Sequence, residues 1–381
     1  MTISFYSNFI NHHQVFVSRE LYKITHGNFR FIEMQPMPDS FKHTGYPEFS
    51  SEPFVIRAWM NSSECAKAEK LVLTSDVVIY TPYAFDIVKP RLITEKISFD
   101  VGERWFKKGI KNMLSPKLLK MQWFYHTRMN KQNKFKLCSS AYGACDQYKL
   151  RSFIGKCYKW GYFTKVDFLD VKSLTTPRNG RCISMMWCAR MIDWKHPEIA
   201  VSLAKELQSK EYDFTIDMFG DGPLRKKMEG LVISKGLQNH VKFCGNVSND
   251  LILREMRKHD LFLFTSDKNE GWGAVANEAM ANGCVLVGCK EIGSVPYLIN
   301  DGVNGFVFDS CNLGQLYTIV EQIIKSPEIL QNMSLKSYET IYNLWSPELA
   351  AQNLIQLISA LRNGSDTPIQ EGPCSKALPI I

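Results

Sequence analysis

The sequence predicts a two-domain α/β protein, each domain a parallel sheet flanked by helices, and three observations carry that reading. The chain has 381 residues, more than one hydrophobic core usually supports. Short apolar runs of strand length alternate with longer stretches of helical spacing through both halves, the grammar of parallel strands joined by crossover helices. The alternation breaks down once, across Asp170-Val171-Lys172-Ser173-Leu174-Thr175-Thr176-Pro177-Arg178-Asn179-Gly180, where a linker is expected.

In the first half, residues 2–6 read as an opening strand that ends in Ser7-Asn8-Phe9-Ile10-Asn11-His12-His13-Gln14, and Val15 to Ile24 has helical spacing. A polar loop beyond a first strand is where open α/β sheets place ligand-binding groups, which makes Asn11, His12 and His13 candidates. Adjacent histidines point in different directions on regular structure, so a joint metal role is not expected, and loop capping competes with a place in a cleft. Further strands are expected at Phe29–Met34, Phe54–Ile56, Asp76–Tyr80, Lys96–Phe99 and Phe135–Ser139, with a helix over Ser62–Leu73. The strand near Ile97 runs into Asp100-Val101-Gly102-Glu103-Arg104, whose Glu103 and Arg104 either face a cleft or decorate a surface turn.

The second half restarts with apolar Cys182 to Cys188, followed by Ala189-Arg190-Met191-Ile192-Asp193-Trp194-Lys195. His196-Pro197 opens a helix, with proline in its first turn and Ile199, Leu203 and Leu207 on one face. Phe214–Met218 alternates as a strand and stops at Gly220-Asp221-Gly222-Pro223; a helix follows to about Lys235, closed by Gly236. Val241–Cys244 is the next strand and ends at Gly245-Asn246. Leu261-Phe262-Leu263-Phe264 then reads as a buried parallel strand feeding Asn269-Glu270-Gly271-Trp272-Gly273-Ala274 and a helix. A glycine-rich turn between strand and helix presents unpaired N–H groups and the positive end of a helix dipole, so it favours a phosphate or another anion. Glu270 in that turn and Glu278 on the helix suggest a ligand that carries hydroxyls as well as phosphate. Val285–Val287 and Gly305–Phe308 continue the pattern, and Ser346-Pro347 opens a last helix to about Leu361 with serine as cap. Beyond it, residues 363–381 are rich in Gly, Pro and Ser and read as disordered.

Bulk properties exclude several classes. With 45% hydrophobic and 22% charged residues the composition is that of an ordinary globular protein, and no apolar run is long enough for a transmembrane helix. The start lacks a basic n-region, so no signal peptide is expected. Eleven cysteines are scattered without a Cys-x-x-Cys pair or zinc-ligand spacing, which fits buried thiols in a reducing cytoplasm and predicts no metal site.

From Trp187 to Asp309 the chain resembles the nucleotide-sugar-dependent glycosyltransferases of family 4. Arg190 and Lys195 stand at that family's Arg-x-x-x-x-Lys positions, Gly220-Asp221-Gly222-Pro223 at its Gly-Asp-Gly-Pro turn, and Glu270 with Glu278 at its Glu-x7-Glu pair. The resemblance implies the GT-B fold, in which two Rossmann-like domains face each other across a cleft and a C-terminal helix crosses back to the first. Residues 1–172 would form the acceptor-side domain, 180–345 the nucleotide-sugar domain, 346–362 the crossover helix and 363–381 the tail. It further implies a retaining, metal-independent transfer of a hexose or related sugar from a nucleotide diphosphate sugar to a glycan or lipid-linked acceptor in polysaccharide synthesis, with the nucleotide sugar as substrate and no cofactor. Arg190 and Lys195 would meet the charge of the departing diphosphate, and Glu270 would orient the sugar. Glu278 would grip the ribose, Gly271, Trp272, Gly273 and Ala274 would meet sugar and phosphate, and Gly220, Asn246 and Val247 would border the nucleotide. The first loop departs from the family in lacking Gly-Gly, Cys284 replaces the usual proline, and no histidine follows the strand near Ile97. The first half is similar to capsule and cell-wall polysaccharide members only through Phe9–Gln14 and Tyr158–Phe163. An epimerase on the same fold and a non-catalytic membrane scaffold are the competing readings.

The net charge of +8 is uneven: residues 104–136 hold ten Lys or Arg and no acid. Trp105, Phe106, Lys107, Lys108 and Lys111 interleave cations with large apolar groups, and a helix opens at Ser115-Pro116. No nucleic-acid motif accompanies the charge, so nucleic acid is not an expected partner. A solvated basic face competes with peripheral contact on an anionic membrane, which would place the protein on the cytoplasmic face beside a lipid-linked acceptor.

Overall fold

The computed structural model describes residues 1–39, 48–107, 109–131, 133–176, 182–310 and 312–380. Contacts divide the chain into two units, Met1–Lys165 with Leu344–Ile381, and Val166–Asn343. Each is a Rossmann-like α/β unit built on an all-parallel sheet, the fold class expected. In the first unit the strands are β1 (Ile3–Ser7), β2 (Phe29–Glu33), β3 (Val55–Arg57), β4 (Val77–Tyr80), β5 (Ser98–Gly102), β6 (Lys134–Cys138) and β7 (Cys157–Lys159), in the order β3-β2-β1-β4-β5-β6-β7. The second unit has β8 (Ile183–Cys188), β9 (Phe214–Phe219), β10 (Val241–Gly245), β11 (Leu261–Phe264), β12 (Val285–Cys289) and β13 (Gly305–Phe308), in the order β10-β9-β8-β11-β12-β13. β4 and β11 are buried along their whole length, which is why they read as unbroken apolar runs.

The two orders fix where ligands bind. Strand order reverses between β1 and β4, and again between β8 and β11, which pair in register through Leu261 with Met185 and Phe262 with Met186. Open sheets bind ligands beyond the carboxyl ends of strands at such switch points. The loop after β1 and the loops after β8 and β11 occupy them, so Asn11, His12 and His13 of the first half and Arg190, Lys195 and Glu270 to Ala274 of the second lie at switch points, whereas Glu103 and Arg104 follow β5, Gly220 follows β9, and Asn246 and Val247 follow β10.

Local chemistry sets the helix boundaries. Asn61 caps Ser62–Thr74 by accepting from the Glu64 N–H at 2.9 Å, and Ser346 caps Pro347–Arg362 by accepting from the Leu349 N–H at 3.3 Å. That last helix packs on Val15–Ile24 of the first unit. Helices at Asn249–Met256, Leu313–Lys325 and Ile329–Leu344 were not expected from the sequence. The division after Lys165, where residue 172 was expected, also has a local cause. The Leu169 N–H donates to the Tyr338 hydroxyl at 3.1 Å, that hydroxyl donates to the Asp167 carbonyl at 3.2 Å, and Arg257 pairs with Asp167 at 3.0 Å. Residues 166–169 are thereby tied to the second unit; residues 177–181 of the expected linker lie outside the described residues.

The tail corrects the sequence reading. Rather than being disordered, Lys376 bridges antiparallel to Tyr158 on β7, the edge strand of the first sheet. The Lys159 N–H donates to the Ser375 carbonyl at 2.8 Å, the Cys374 N–H to the Lys159 carbonyl at 2.7 Å and the Ala377 N–H to the Cys157 carbonyl at 3.0 Å. Cys374, Ser375 and Ala377 are buried. Gly- and Pro-rich composition hides this pairing, because the partner is an open sheet edge and not a segment of the tail's own.

The residues expected from sequence to meet a membrane are partly engaged within the first unit. Trp105 packs partly buried against the first unit's core, the Phe106 N–H donates to Asp146 at 2.8 Å, and Lys107 pairs with Glu103 at 2.7 Å. Lys108 lies outside the described residues, and Lys111 is exposed. No helix among the described residues is long and apolar enough to cross a membrane.

Candidate active site

In the second unit, the loops after β8 and β11 are clamped together. Thr265, just beyond β11, donates its hydroxyl to the Lys195 carbonyl at 2.7 Å and accepts from the buried Trp187 indole N–H at 2.9 Å. The Asp267 N–H donates to the Trp194 carbonyl at 3.1 Å. His196, at φ 50°, turns the chain into the helix Pro197–Ser209 and places its ring nitrogens 2.8 Å from Glu198 and 3.4 Å from Asp267. The hydrogen bond with Glu198 raises the His196 pKa, which favours the imidazolium between two carboxylates.

The clamp delivers Lys195 to Glu270. The ammonium forms an ion pair with Glu270 Oε2, to which the Ser266 hydroxyl also donates at 3.2 Å, and it lies 4.4 Å from the centroid of the Trp194 ring. Arg190 on the same loop is exposed. Its loop rests on the Gly-Asp-Gly-Pro turn: the Met191 N–H donates to the Asp221 carbonyl at 2.9 Å, and a Cβ at Gly220 would fall 2.0 Å from the Ala189 carbonyl oxygen.

Gly271 to Ala274 follow directly. Gly273, at φ 81°, caps the helix Ala274–Ala281, and a Cβ there would lie 2.3 Å from the Phe264 ring. Trp272 is fully buried, its indole N–H donating to the Asn277 side-chain oxygen at 2.7 Å and its carbonyl accepting from the Ser294 hydroxyl at 2.6 Å. The expected Trp272 contact with donor is thus confined to its backbone. The first N–H groups of this helix have no acceptor within it, as at any helix N-terminus.

Glu278 is one helical turn deeper and buried. It accepts from the Asn249 amide at 3.1 Å, and burial raises its pKa to about 7 against the lowering effect of that bond. Cys188, at the end of β8, senses both charges. Burial and the Glu278 carboxylate push the thiol up to about 12 while Lys195 pulls it down, so it is no thiolate nucleophile. Asn246 is exposed and Val247 half-buried in the loop that leads to Asn249. Asn249, Thr265, His196 and Asp267 were missed by sequence reasoning. The Ser248-Asn249-Asp250 capping pattern was the one available signal, with Ser248 accepting from the Leu251 N–H at 3.4 Å. Among the described residues no cluster of His, Cys, Asp or Glu is placed to hold a metal ion.

The first unit gathers a separate set. The His13 ring stacks on Tyr162 with centroids 3.9 Å apart, and the Tyr162 hydroxyl donates to Glu103 at 2.8 Å. Asn11 accepts from the His13 N–H at 3.2 Å through its side chain. Burial drives the His12 pKa down to about 4 and His13 well below its ordinary value, so both rings are neutral near pH 7. His13, Gln14, Ser139, Trp160 and Tyr162 line a small cavity. The His13 Nδ1, Gln14 Oε1 and Ser139 Oγ atoms are buried without a hydrogen-bond partner among the described residues. Arg104 does not join them: it lies over the Tyr142 ring at 5.0 Å and pairs with buried Asp146 at 3.5 Å.

Residues 181–340 match the family model described as Glycosyl transferases group 1. The second unit carries a glycosyl transferase group 1 domain. An uncharacterized glycosyltransferase of Methanocaldococcus jannaschii is 31% identical over 124 residues, 32% of this chain and 34% of that protein. The alpha-D-kanosaminyltransferase of Streptomyces kanamyceticus is 27% identical over 150 residues, 39% of this chain and 38% of that one. The chain therefore spans between a third and two fifths of the length of these relatives. The solved structure of Anabaena HepE in complex with UDP has a TM-score of 0.70 at 15% identity, covering 94% of this chain and 100% of that one, a likeness of fold across both units. The domain contains every candidate donor-side residue, from Arg190 to Glu278.

Proposed function

We propose that the chain is a retaining, metal-independent glycosyltransferase that moves a hexose or related sugar from a nucleotide diphosphate sugar to a glycan or lipid-linked acceptor in polysaccharide synthesis. The observation that carries this reading is the Lys195–Glu270 ion pair at the switch point of a group 1 domain, beside an N-terminal helix turn and above Glu278. A donor seated on the turn separates the pair. Lys195 and Arg190 turn to the diphosphate with the N–H groups of Gly271 to Ala274, while Glu270 accepts from sugar hydroxyls and Glu278 from the ribose. The acceptor oxygen bonds to the anomeric carbon on the face from which the diphosphate departs. The bond from that carbon to the diphosphate oxygen breaks, and the acceptor proton passes to a leaving phosphate oxygen. The neutral His13 ring, Tyr162 and Glu103 are the acceptor-side groups. Transfer is favoured over epimerisation by relatives named as transferases. Against a silent scaffold stands the cost of keeping Glu278 buried with no ligand to use it.

Labelled nucleotide sugars incubated with and without candidate acceptors test the reading: acceptor-dependent nucleotide release supports it, and a chain that binds no nucleotide sugar overturns it. Turnover is expected to persist in EDTA. Glu278→Ala should weaken donor binding by about 1–3 kcal/mol, the scale for hydrogen bonds to a charged group. Calorimetry giving unchanged affinity would remove Glu278 from the site.

A further inference from the structure

The ten cations of residues 104–136 do not share one fate. Arg104 and Lys107 are paired with Asp146 and Glu103, Lys136 with buried Asp100, and Lys134 donates to the carbonyls of Thr94 at 2.7 Å and Lys96 at 2.6 Å. Those four are structural. Lys111, Lys120 and Arg128 are exposed. Large apolar groups stand among them: Leu114 is 78% exposed, Leu119 40% and Trp123 69%.

Helical geometry gathers part of this set on one face. In Pro116–Arg128, Met121 and Tyr125 are buried toward the core, while Leu119 and Trp123, four apart, share the outward side with Lys120 and His126. Glu103, Asp146 and Asp100, which pair with cations of this segment, are already engaged. An outward tryptophan and leucine with exposed cations near them match an interface that is apolar a few ångströms down and negatively charged at its surface.

We infer that the outward face of the helix Pro116–Arg128, with Leu114 and Lys111 before it, docks on a bilayer surface carrying anionic lipid. Trp123 and Leu119 enter the headgroup region, and Lys120 beside them, with the exposed Lys111, meets the lipid phosphates. Charge complementarity selects this occupant: a second copy of the chain would set the same cations against each other, and an uncharged apolar partner would leave them unanswered. The inference stands on the first unit's surface alone and does not depend on the transferase reading.

Sedimentation of the full chain with vesicles tests it, using phosphatidylcholine alone and phosphatidylcholine mixed with phosphatidylglycerol, in the absence of any sugar nucleotide. Binding to the anionic vesicles alone is expected, falling as salt rises. The double variant Lys111→Glu with Lys120→Glu, and separately Trp123→Ala, should each lower the bound fraction about tenfold, since each removes one of the two contributions to partition. Lys226→Glu with Lys227→Glu makes the same charge change on exposed residues of the second unit and should leave binding intact. Circular dichroism reports that each variant is folded. Failure to sediment with anionic vesicles, an equal loss in the Lys226/Lys227 control, or retention by both surface variants overturns the inference. Displacement of bound chain by duplex DNA or RNA at lower concentration than by anionic lipid also overturns it, in favour of a nucleic-acid surface.

Discussion

Glu278 is 6% exposed and meets the Asn249 amide, and it holds its proton up to about pH 7. Below the ordinary value of 4.5 it is protonated in folded and unfolded chains alike. As pH rises toward 7 the unfolded chain loses the proton first, so stability falls across this window and the loss is complete above it, on the order of 3 kcal/mol. Glu278→Gln removes that slope. Melting curves should show the variant more stable than the parent at pH 8 and equal to it at pH 4, while its donor affinity falls; parallel pH profiles would place the raised pKa elsewhere. The sequence made Arg190, Lys195, Glu270 and Glu278 readable because their spacing along the chain is what the chemistry demands. It did not reveal that Lys195 and Glu270 neutralise each other, or that Asn249 reaches Glu278, since both depend on side chains from separate loops meeting in space.

At the scale of elements, two glycines near one helix separate packing from propensity. Gly220 has φ 112°, and a Cβ there would sit 2.0 Å from the Ala189 carbonyl, a backbone atom that cannot swing aside. Gly220→Ala should therefore push the Arg190 loop off the turn and destabilise the second unit by more than about 2 kcal/mol. Gly230 lies in the helix Arg225–Ser234 with nothing within 4 Å of its Cβ position. Gly230→Ala should stabilise by about 0.5–1 kcal/mol through lower backbone entropy in the unfolded chain. Urea midpoints of the two variants should move in opposite directions; a shared sign would mean the Gly220 turn is looser than its contacts indicate. The same contrast explains which elements were legible. β4, β8, β11 and β12 announce themselves because both faces are buried, and the capped helices because Asn61 and Ser346 are strong local signals. β7 is three residues long, and the helix Asn249–Met256 spans two turns, too short for periodicity to rise above its surroundings.

For the whole molecule, sequence alternation and length carry the division into two parallel-sheet units, whereas the C-terminal segment shows where composition misleads. Its glycines and prolines make it unable to fold alone, yet it needs no core of its own because β7 offers a row of free backbone groups. The Tyr158 hydroxyl donates to Asp366 at 2.8 Å and the Lys376 ammonium lies 4.7 Å from the Tyr158 ring centroid, adding side-chain anchors to the backbone pairing. Deleting residues 364–381 removes these bonds, uncovers Cys157 and Tyr158, and leaves an open edge. The truncated chain should melt at lower temperature and self-associate in proportion to concentration, measured by light scattering. Donor affinity should change little, because every donor-side candidate belongs to the second unit and the deleted residues to the first. A truncated chain that stays monodisperse and melts with the parent would show that the tail pairs with β7 without protecting it. Loss of donor binding together with the edge would instead mean that the two units are energetically coupled, so that damage at β7 reaches the switch point of the second sheet.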